Sequence, residues 1–233
     1  MKVTALIPSA GIGKRMGTER PKQFLAINGL PILVYTLKVF DALPEIDEIN
    51  LIVHKGEEGY CEKIIEGYKL KKVLKIVFGG KTRQESVYNG LKEVSDETGI
   101  VVIHDAVRPF VTPEIIRKSI KTARYSDGAV AAIPVRDTMK YAGDKGIIEK
   151  TVSRSNLWLA QTPQAFRLDI IKEAYHRAFL DNFSATDDSS LVERIGYKVK
   201  VIEGSYTNIK ITAPEDIILA QRMLDKVSPA LVL

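Results

Sequence analysis

A chain of 233 residues, 45% hydrophobic and 27% charged, is large enough to bury a core without disulfides or a structural metal. Its net charge of +5 comes from scattered basic residues, which argues against nucleic acid and suits a small anionic ligand. The single cysteine, Cys61, excludes an internal disulfide and a multi-cysteine metal site, and it reads as a packing residue.

The first apolar run, Val3–Pro8, is too short for a membrane span or a signal peptide and reads as the first strand of a cytoplasmic protein. After a glycine-rich loop, Pro31–Leu43 carries a helical stripe of Leu33, Leu37 and Phe40. Ile49–His54 reads as a strand, Glu57–Leu70 as a helix, Val73–Phe78 as a strand and Arg83–Val94 as a helix. Ile100–His104 follows as a buried strand. Thr112 and Pro113 suit the N-cap and first turn of a helix reaching about Tyr125, and Ala129–Val135 is a further strand. Continuous apolar strands between helices predict an α/β fold, a Rossmann-like, doubly wound and mostly parallel sheet covered on both faces. Such a sheet binds ligands at the carboxyl ends of its strands.

Residues 136–158 break this rhythm. Polar and apolar residues alternate around Gly143-Asp144-Lys145-Gly146, which predicts an inserted β-hairpin arm. The pattern leaves open whether the arm covers the site, reaches another subunit or decorates a loop. Beyond it lie predicted helices at Leu168–Leu180 and Asp187–Ile195, a strand at Lys198–Glu203 and a short strand at Asn208–Ile211. The last helix is expected to open at Thr212, with a capping box to Glu215 and Pro214 in its first turn. No linker interrupts the chain, so one domain over residues 1–233 is expected.

The loop after the first strand, PSAGIGKRMGTERPK, has three candidate readings. A Walker A loop requires Gly-Lys-Ser/Thr, but Arg15 follows Lys14 and Pro8 stands where the first glycine belongs. A dinucleotide fingerprint fits Gly11 and Gly13, yet Met16 takes the third glycine's place and Pro21 breaks the expected helix. A nucleotidyltransferase loop suits it better. Glycines let backbone N–H groups approach a triphosphate, and Arg15 and Lys22 add charge near the phosphorus under attack. Lys14 reads as a solvated surface cation. At the end of the fourth strand-like run, His104 and Asp105 precede Arg108; a carboxylate there suits Mg²⁺, although capping the next segment would also explain it. His54 and His176 have no ligand partners nearby in sequence and read as structural or surface residues. No Gly-x-Ser-x-Gly elbow supports a serine nucleophile.

In order, the chain contains PSAGIGKRM, PKQFL, GGKTRQESV, HDAVRPF, DTMK, LAQTPQAF, TDDSSLVE and NIKIT. This succession resembles the 2-C-methyl-D-erythritol 4-phosphate cytidylyltransferase family of the non-mevalonate isoprenoid pathway, across essentially the whole chain; the ribitol 5-phosphate cytidylyltransferases share most of these motifs. The resemblance implies that Pro8, Ser9, Ala10, Gly11 and Gly13 hold the CTP phosphates while Arg15 and Lys22 stabilise the transition state. It implies that Gly80, Arg83 and Ser86 surround the cytosine and that Asp105 binds Mg²⁺. It places Asp105, Arg108, Thr138, Arg154, Thr162, Thr186 and Lys210 around the polyol phosphate, with Arg154 and Lys210 positioning that phosphate. Arg154, on the arm, would serve a partner subunit in a homodimer. Thr186 also reads as a helix N-cap, and Thr162-Pro163 as a turn. Ser9, Lys81 and Asn208 depart from the family pattern; Ser9 could add a phosphate hydrogen bond, and Asn208 replaces a second metal-binding aspartate found in many other nucleotidyltransferases.

Overall fold

A computed structural model describes residues 1–11 and 21–226. Strand β1 (Lys2–Ser9) leads to a 3-10 turn at Lys22–Phe24 and then to two short strands, β2 (Ala26–Ile27) and β3 (Leu30–Pro31). Asn28 and Gly29 join these two with φ of 48° and 82°, the left-handed pair that a tight hairpin requires. Helix α1 (Ile32–Ala42), β4 (Glu48–Val53), α2 (Glu58–Gly67), β5 (Val73–Phe78), α3 (Arg83–Lys92) and β6 (Thr98–Ile103) follow. Then come α4 (Pro113–Arg124), β7 (Gly128–Pro134), β8 (Met139–Ala142), β9 (Ile148–Val152) and β10 (Trp158–Arg167). The chain continues through α5 (Leu168–Leu180), α6 (Asp188–Arg194), β11 (Val199–Glu203) and α7 (Pro214–Lys226).

Seven strands form one sheet in the order β11-β7-β10-β6-β1-β4-β5. All neighbours run parallel except β10, which is antiparallel to both β6 and β7. Alternation along β1 explains the two-sided burial. Ala5 and Ile7 face one core with Leu33, Leu37 and Phe40 of α1 and Ile116 of α4, whereas Leu6 faces a second core with Leu91 of α3 and Ile171 of α5. Strands buried on both faces carry apolar residues at successive positions, and the periodicity that betrays a half-exposed strand is lost. Strands β8 and β9 pair antiparallel as the expected hairpin, with Met139 opposite Val152, and most of their residues are exposed. No helix among the described residues is long and apolar enough to cross a membrane.

Four expectations need correction. Thr162-Pro163 sets no turn: it lies inside β10, with a cis peptide bond, where the pairing with β7 shifts register between Ala160 and Gln164. Asn208–Ile211 is not a strand but an extended loop, tied down where Ile211 N–H donates to Val107 O at 2.9 Å. The cap of α6 is Asp187 rather than Thr186, because the Asp187 carboxylate accepts from Ser190 N–H at 3.1 Å. At α7, Asp216 replaces Glu215 as the capping acid, accepting from the N–H groups of Thr212 at 2.7 Å and Ala213 at 2.8 Å. The Thr112 cap and Pro113 start of α4 stand as expected.

Candidate active site

The carboxyl ends of β1, β4 and β6 open into a cavity of about 420 Å³. One wall is the end of β1, from Pro8 to Gly11. Gln23 holds this segment by donating from Nε2 to Ser9 O at 2.6 Å. The Ser9 hydroxyl is buried and has no hydrogen-bond partner among the described residues. Facing it are Gly79 and Gly80, where the backbones press close. A Cβ on Gly79 would lie 2.4 Å from Ala10 Cβ, and one on Gly80 would lie 2.3 Å from Glu85 Cβ. Only glycine fits either place.

Helix α3 begins at this wall. Thr82 Oγ1 caps it by accepting from Glu85 N–H at 3.0 Å, and Glu85 Oε2 accepts from Lys81 N–H at 2.8 Å. Ser86 Oγ accepts from Gly80 N–H at 3.0 Å and donates to Thr82 O at 2.8 Å. The glycine pair, Lys81 and Ser86 are thereby fixed as one rigid edge of the cavity.

The opposite wall is the segment after β6, which keeps tracking β1. His104 N–H donates to Leu6 O at 3.0 Å and Ala106 N–H to Pro8 O at 3.4 Å, so Asp105 is delivered beside the β1 loop. Three cations converge on its carboxylate. Arg83 Nε lies 3.1 Å from Oδ1, Lys210 Nζ 2.8 Å from Oδ2, and Arg108 Nε 3.6 Å from Oδ2. Burial alone would raise this carboxyl's pKa, but the charges of Arg83, Lys210 and Arg108 hold it well below the usual carboxylate range. Arg83 is itself anchored, gripping buried Asp188 at 2.9 and 2.8 Å through its two terminal nitrogens. Tyr175 also donates to Asp188.

Behind Asp105, the Thr162 hydroxyl accepts from Asp105 N–H at 3.0 Å and lies 3.1 Å from His104 Nδ1. Complete burial pushes the His104 imidazole down to about 4, so it is neutral near pH 7. Lys22 Nζ, at the start of the 3-10 turn, donates to Ile211 O at 3.0 Å. Asn208 donates its amide N–H groups to Thr162 O at 2.8 Å and Gln161 Oε1 at 3.2 Å, bonds that an aspartate could not make.

Of the residues singled out in the sequence, Pro8, Ser9, Ala10, Gly11, Lys22, Gly80, Arg83, Ser86, Asp105 and Lys210 line the cavity. Gly13 and Arg15 lie outside the described residues. Arg108 flanks Asp105 with one terminal nitrogen on Asn208 O at 2.8 Å. Thr162 stands behind the carboxylate with its hydroxyl already engaged. Thr186 is exposed before α6. Thr138 and Arg154 sit on the exposed hairpin, where the Arg154 guanidinium contacts the Arg136 carbonyl. His54, read as an ordinary structural or surface residue, lines the cavity with Lys81. Its place at the end of a buried strand was the available signal. Asp188 gave none, since its pairing with Arg83 joins distant parts of the chain.

A wound α/β sheet with a glycine edge and a caged carboxylate at its strand ends suits a nucleotide-binding enzyme, and the family shown by comparison is one of nucleotidyltransferases. Residues 3–226 match the family described as IspD, 2-C-methyl-D-erythritol 4-phosphate cytidylyltransferase. The chain is 48% identical over 231 residues to the enzyme of that name from Geotalea uraniireducens, covering 98% of this chain and 99% of the relative. It is 50% identical over 226 residues to the one from Syntrophus aciditrophicus, covering 97% of each. The crystal structure of 4-diphosphocytidyl-2C-methyl-D-erythritol synthase from Anaerococcus prevotii superposes with a TM-score of 0.87 at 35% identity, over 97% of this chain and 96% of that one. The chain belongs to the 2-C-methyl-D-erythritol 4-phosphate cytidylyltransferase family.

Proposed function

We propose that this chain transfers CMP from CTP to 2-C-methyl-D-erythritol 4-phosphate, in isoprenoid precursor synthesis. A phosphate oxygen of the alcohol phosphate attacks the α-phosphorus of CTP, the bond to the β-phosphate breaks, and pyrophosphate leaves with the electron pair. The products are 4-diphosphocytidyl-2-C-methyl-D-erythritol and pyrophosphate. The attacking phosphate is already ionised near neutral pH, so the step needs positioning and charge rather than a strong base. The observation that carries this reading is the Asp105 carboxylate, held ionised among Arg83, Arg108 and Lys210 across the cavity from the glycine edge.

In this reading Pro8, Ser9, Ala10, Gly11 and Gly13 cradle the triphosphate, and Arg15 and Lys22 offset charge as it develops at phosphorus. Gly80 and Ser86 meet the cytosine edge, while Arg83 reaches it only in part, its guanidinium being shared with Asp188 and Asp105. Asp105 suits Mg²⁺ because an ionised oxygen donor faces the cavity and a triphosphate brings further oxygens. That ion would neutralise phosphate charge. Arg108, Thr138, Thr186 and Lys210 surround the alcohol phosphate, Thr162 serves it only from behind by holding Asp105, and Arg154 reaches it from the hairpin of a second copy in a cytoplasmic homodimer of single-domain chains.

Pyrophosphate release in the presence of CTP and Mg²⁺ tests the reading, with methylerythritol 4-phosphate and ribitol 5-phosphate in parallel. Turnover with the first and not the second is the expected result. Preference for ribitol 5-phosphate would reassign the substrate, and CTP binding without release would make the chain a nucleotide-binding regulator.

A further inference from the structure

We propose that His104 is a positioning residue for this transfer, fixing Asp105 through one ring nitrogen and Arg108 through the other. The inference rests on the proposed reaction for its kinetic consequences, but its geometry stands in the free protein. His104 has no exposure to solvent, and its two nitrogens meet two different kinds of partner. Nε2 lies 3.2 Å from Arg108 O, and a carbonyl oxygen can only accept, so the ring proton sits on Nε2. The Thr162 hydroxyl has two partners, the Asp105 N–H, which can only donate, and Nδ1, which is left to take the hydroxyl proton. Nδ1 is therefore an acceptor, and the Thr162 hydroxyl, 3.1 Å away, donates to it.

With its proton spent on His104, Thr162 Oγ1 turns a lone pair to Asp105 N–H, 3.0 Å away. One direction of donation then runs from the Asp105 amide through the Thr162 hydroxyl to the imidazole, and on to the Arg108 carbonyl. Every link has a single allowed proton position. The two residues fixed at its ends supply the carboxylate and one of the cations facing it. The ring cannot swing away, because Phe40 packs against it with centroids 5.1 Å apart. His104 thus sets the backbone at Asp105 and at Arg108 together, while touching no part of the cavity itself.

Two variants separate the arms. His104→Asn keeps an acceptor near the Nδ1 position and loses the donor to Arg108 O. His104→Gln keeps a donor near the Nε2 position and loses the acceptor for Thr162. Partners that orient such groups typically change function by roughly 10- to 100-fold. Pyrophosphate-release kinetics of H104Q are expected to show kcat reduced by about that factor, and those of H104N a similarly raised KM for the alcohol phosphate. KM for CTP should stay unchanged in both. Wild-type kinetics, or losses in kcat and both KM values that simply track a lower Tm, would overturn the proposal. Nitrogen-15 NMR of the wild-type imidazole at neutral pH reads the geometry directly, whatever the variants do. A proton on Nε2 is expected, and one on Nδ1 or on both nitrogens would overturn the assignment. Absence of pyrophosphate release from the wild type would instead remove the functional reading and leave the NMR result standing.

Discussion

Lys210 Nζ lies 2.8 Å from Asp105 Oδ2, although the lysine comes from an irregular loop near the end of the chain and the aspartate from the edge of a central strand. The contact closes the cavity between two halves of the sequence. Its strength comes from the company it keeps, since Arg83 and Arg108 face the same carboxylate. Asp105→Asn should therefore lower turnover by roughly 100-fold or more, measured as pyrophosphate release. It should also cost about 3 kcal/mol in denaturant titration, because Arg108 is left largely buried without its charge partner. The pH dependence follows from the depressed carboxyl. The unfolded chain takes up this proton near its ordinary value of about 4 while the folded chain resists, so stability present above pH 4 declines as pH falls below it. The D105N variant should show a flatter acid limb.

Lys22 reaches the carbonyl oxygen of Ile211, the residue that follows Lys210, in the free protein. Lys22→Met keeps the side-chain length and removes the charge. Turnover should fall by roughly 100-fold with Tm little changed. Near-normal kcat would remove Lys22 from the proposed role.

Gly80 and Gly59 make a contrasting pair. A methyl group at Gly80 collides with Glu85 Cβ, whereas one at Gly59 in α2 meets nothing within 4 Å. Gly80→Ala should displace the start of α3, raise KM for CTP and lower Tm. Gly59→Ala should raise stability by about 0.4–1 kcal/mol with kinetics intact, by restricting the unfolded chain.

Asp187 and Thr186 divide two roles that the sequence had merged. Asp187→Ala removes the cap of α6 and should cost about 1 kcal/mol in thermal or denaturant unfolding. Thr186→Ala should leave stability unchanged, because Thr186 is exposed and caps nothing. A raised KM for the alcohol phosphate in T186A would support its proposed place at the substrate.

The alternating strands and helices were legible because each apolar run is bounded by turn residues or a helical stripe. The Thr112-Pro113 start of α4 was legible for the same local reason. β10 was not, because a proline inside an apolar run argues against a central strand, and here the register shift beside Thr162-Pro163 accommodates it. The caps at Asp187 and Asp216 differ by one residue from the expected ones, a distinction that depends on backbone direction and not on residue type. The site divides in the same way. Lys22 and Asp105 could be read from loops at strand ends, whereas Gly80 came only with the family resemblance. The grip of Asp188 on Arg83, and the engagement of the Thr162 hydroxyl with Asp105 and His104, exist only once distant segments meet.

Cys61 is fully buried in the core between α2 and the sheet, and burial pushes its thiol up to about 12. At pH 8 almost none of it is thiolate, so an aromatic disulfide reagent should label the native protein negligibly. Complete labelling should appear in denaturant, with a midpoint matching the unfolding transition. Rapid labelling of the native state would contradict the packing role.

Trp158 is the only tryptophan in the chain, and it stands at the outer end of the strand whose interior carries Thr162. The residue is 44% exposed, next to the base of the hairpin. Light absorbed at the red edge of the protein spectrum is consequently emitted from this one location. The native chain carries its own optical probe, covalently continuous with the floor of the site and placed where a neighbouring molecule on the hairpin would change its colour, with no dye to attach and no second tryptophan to subtract.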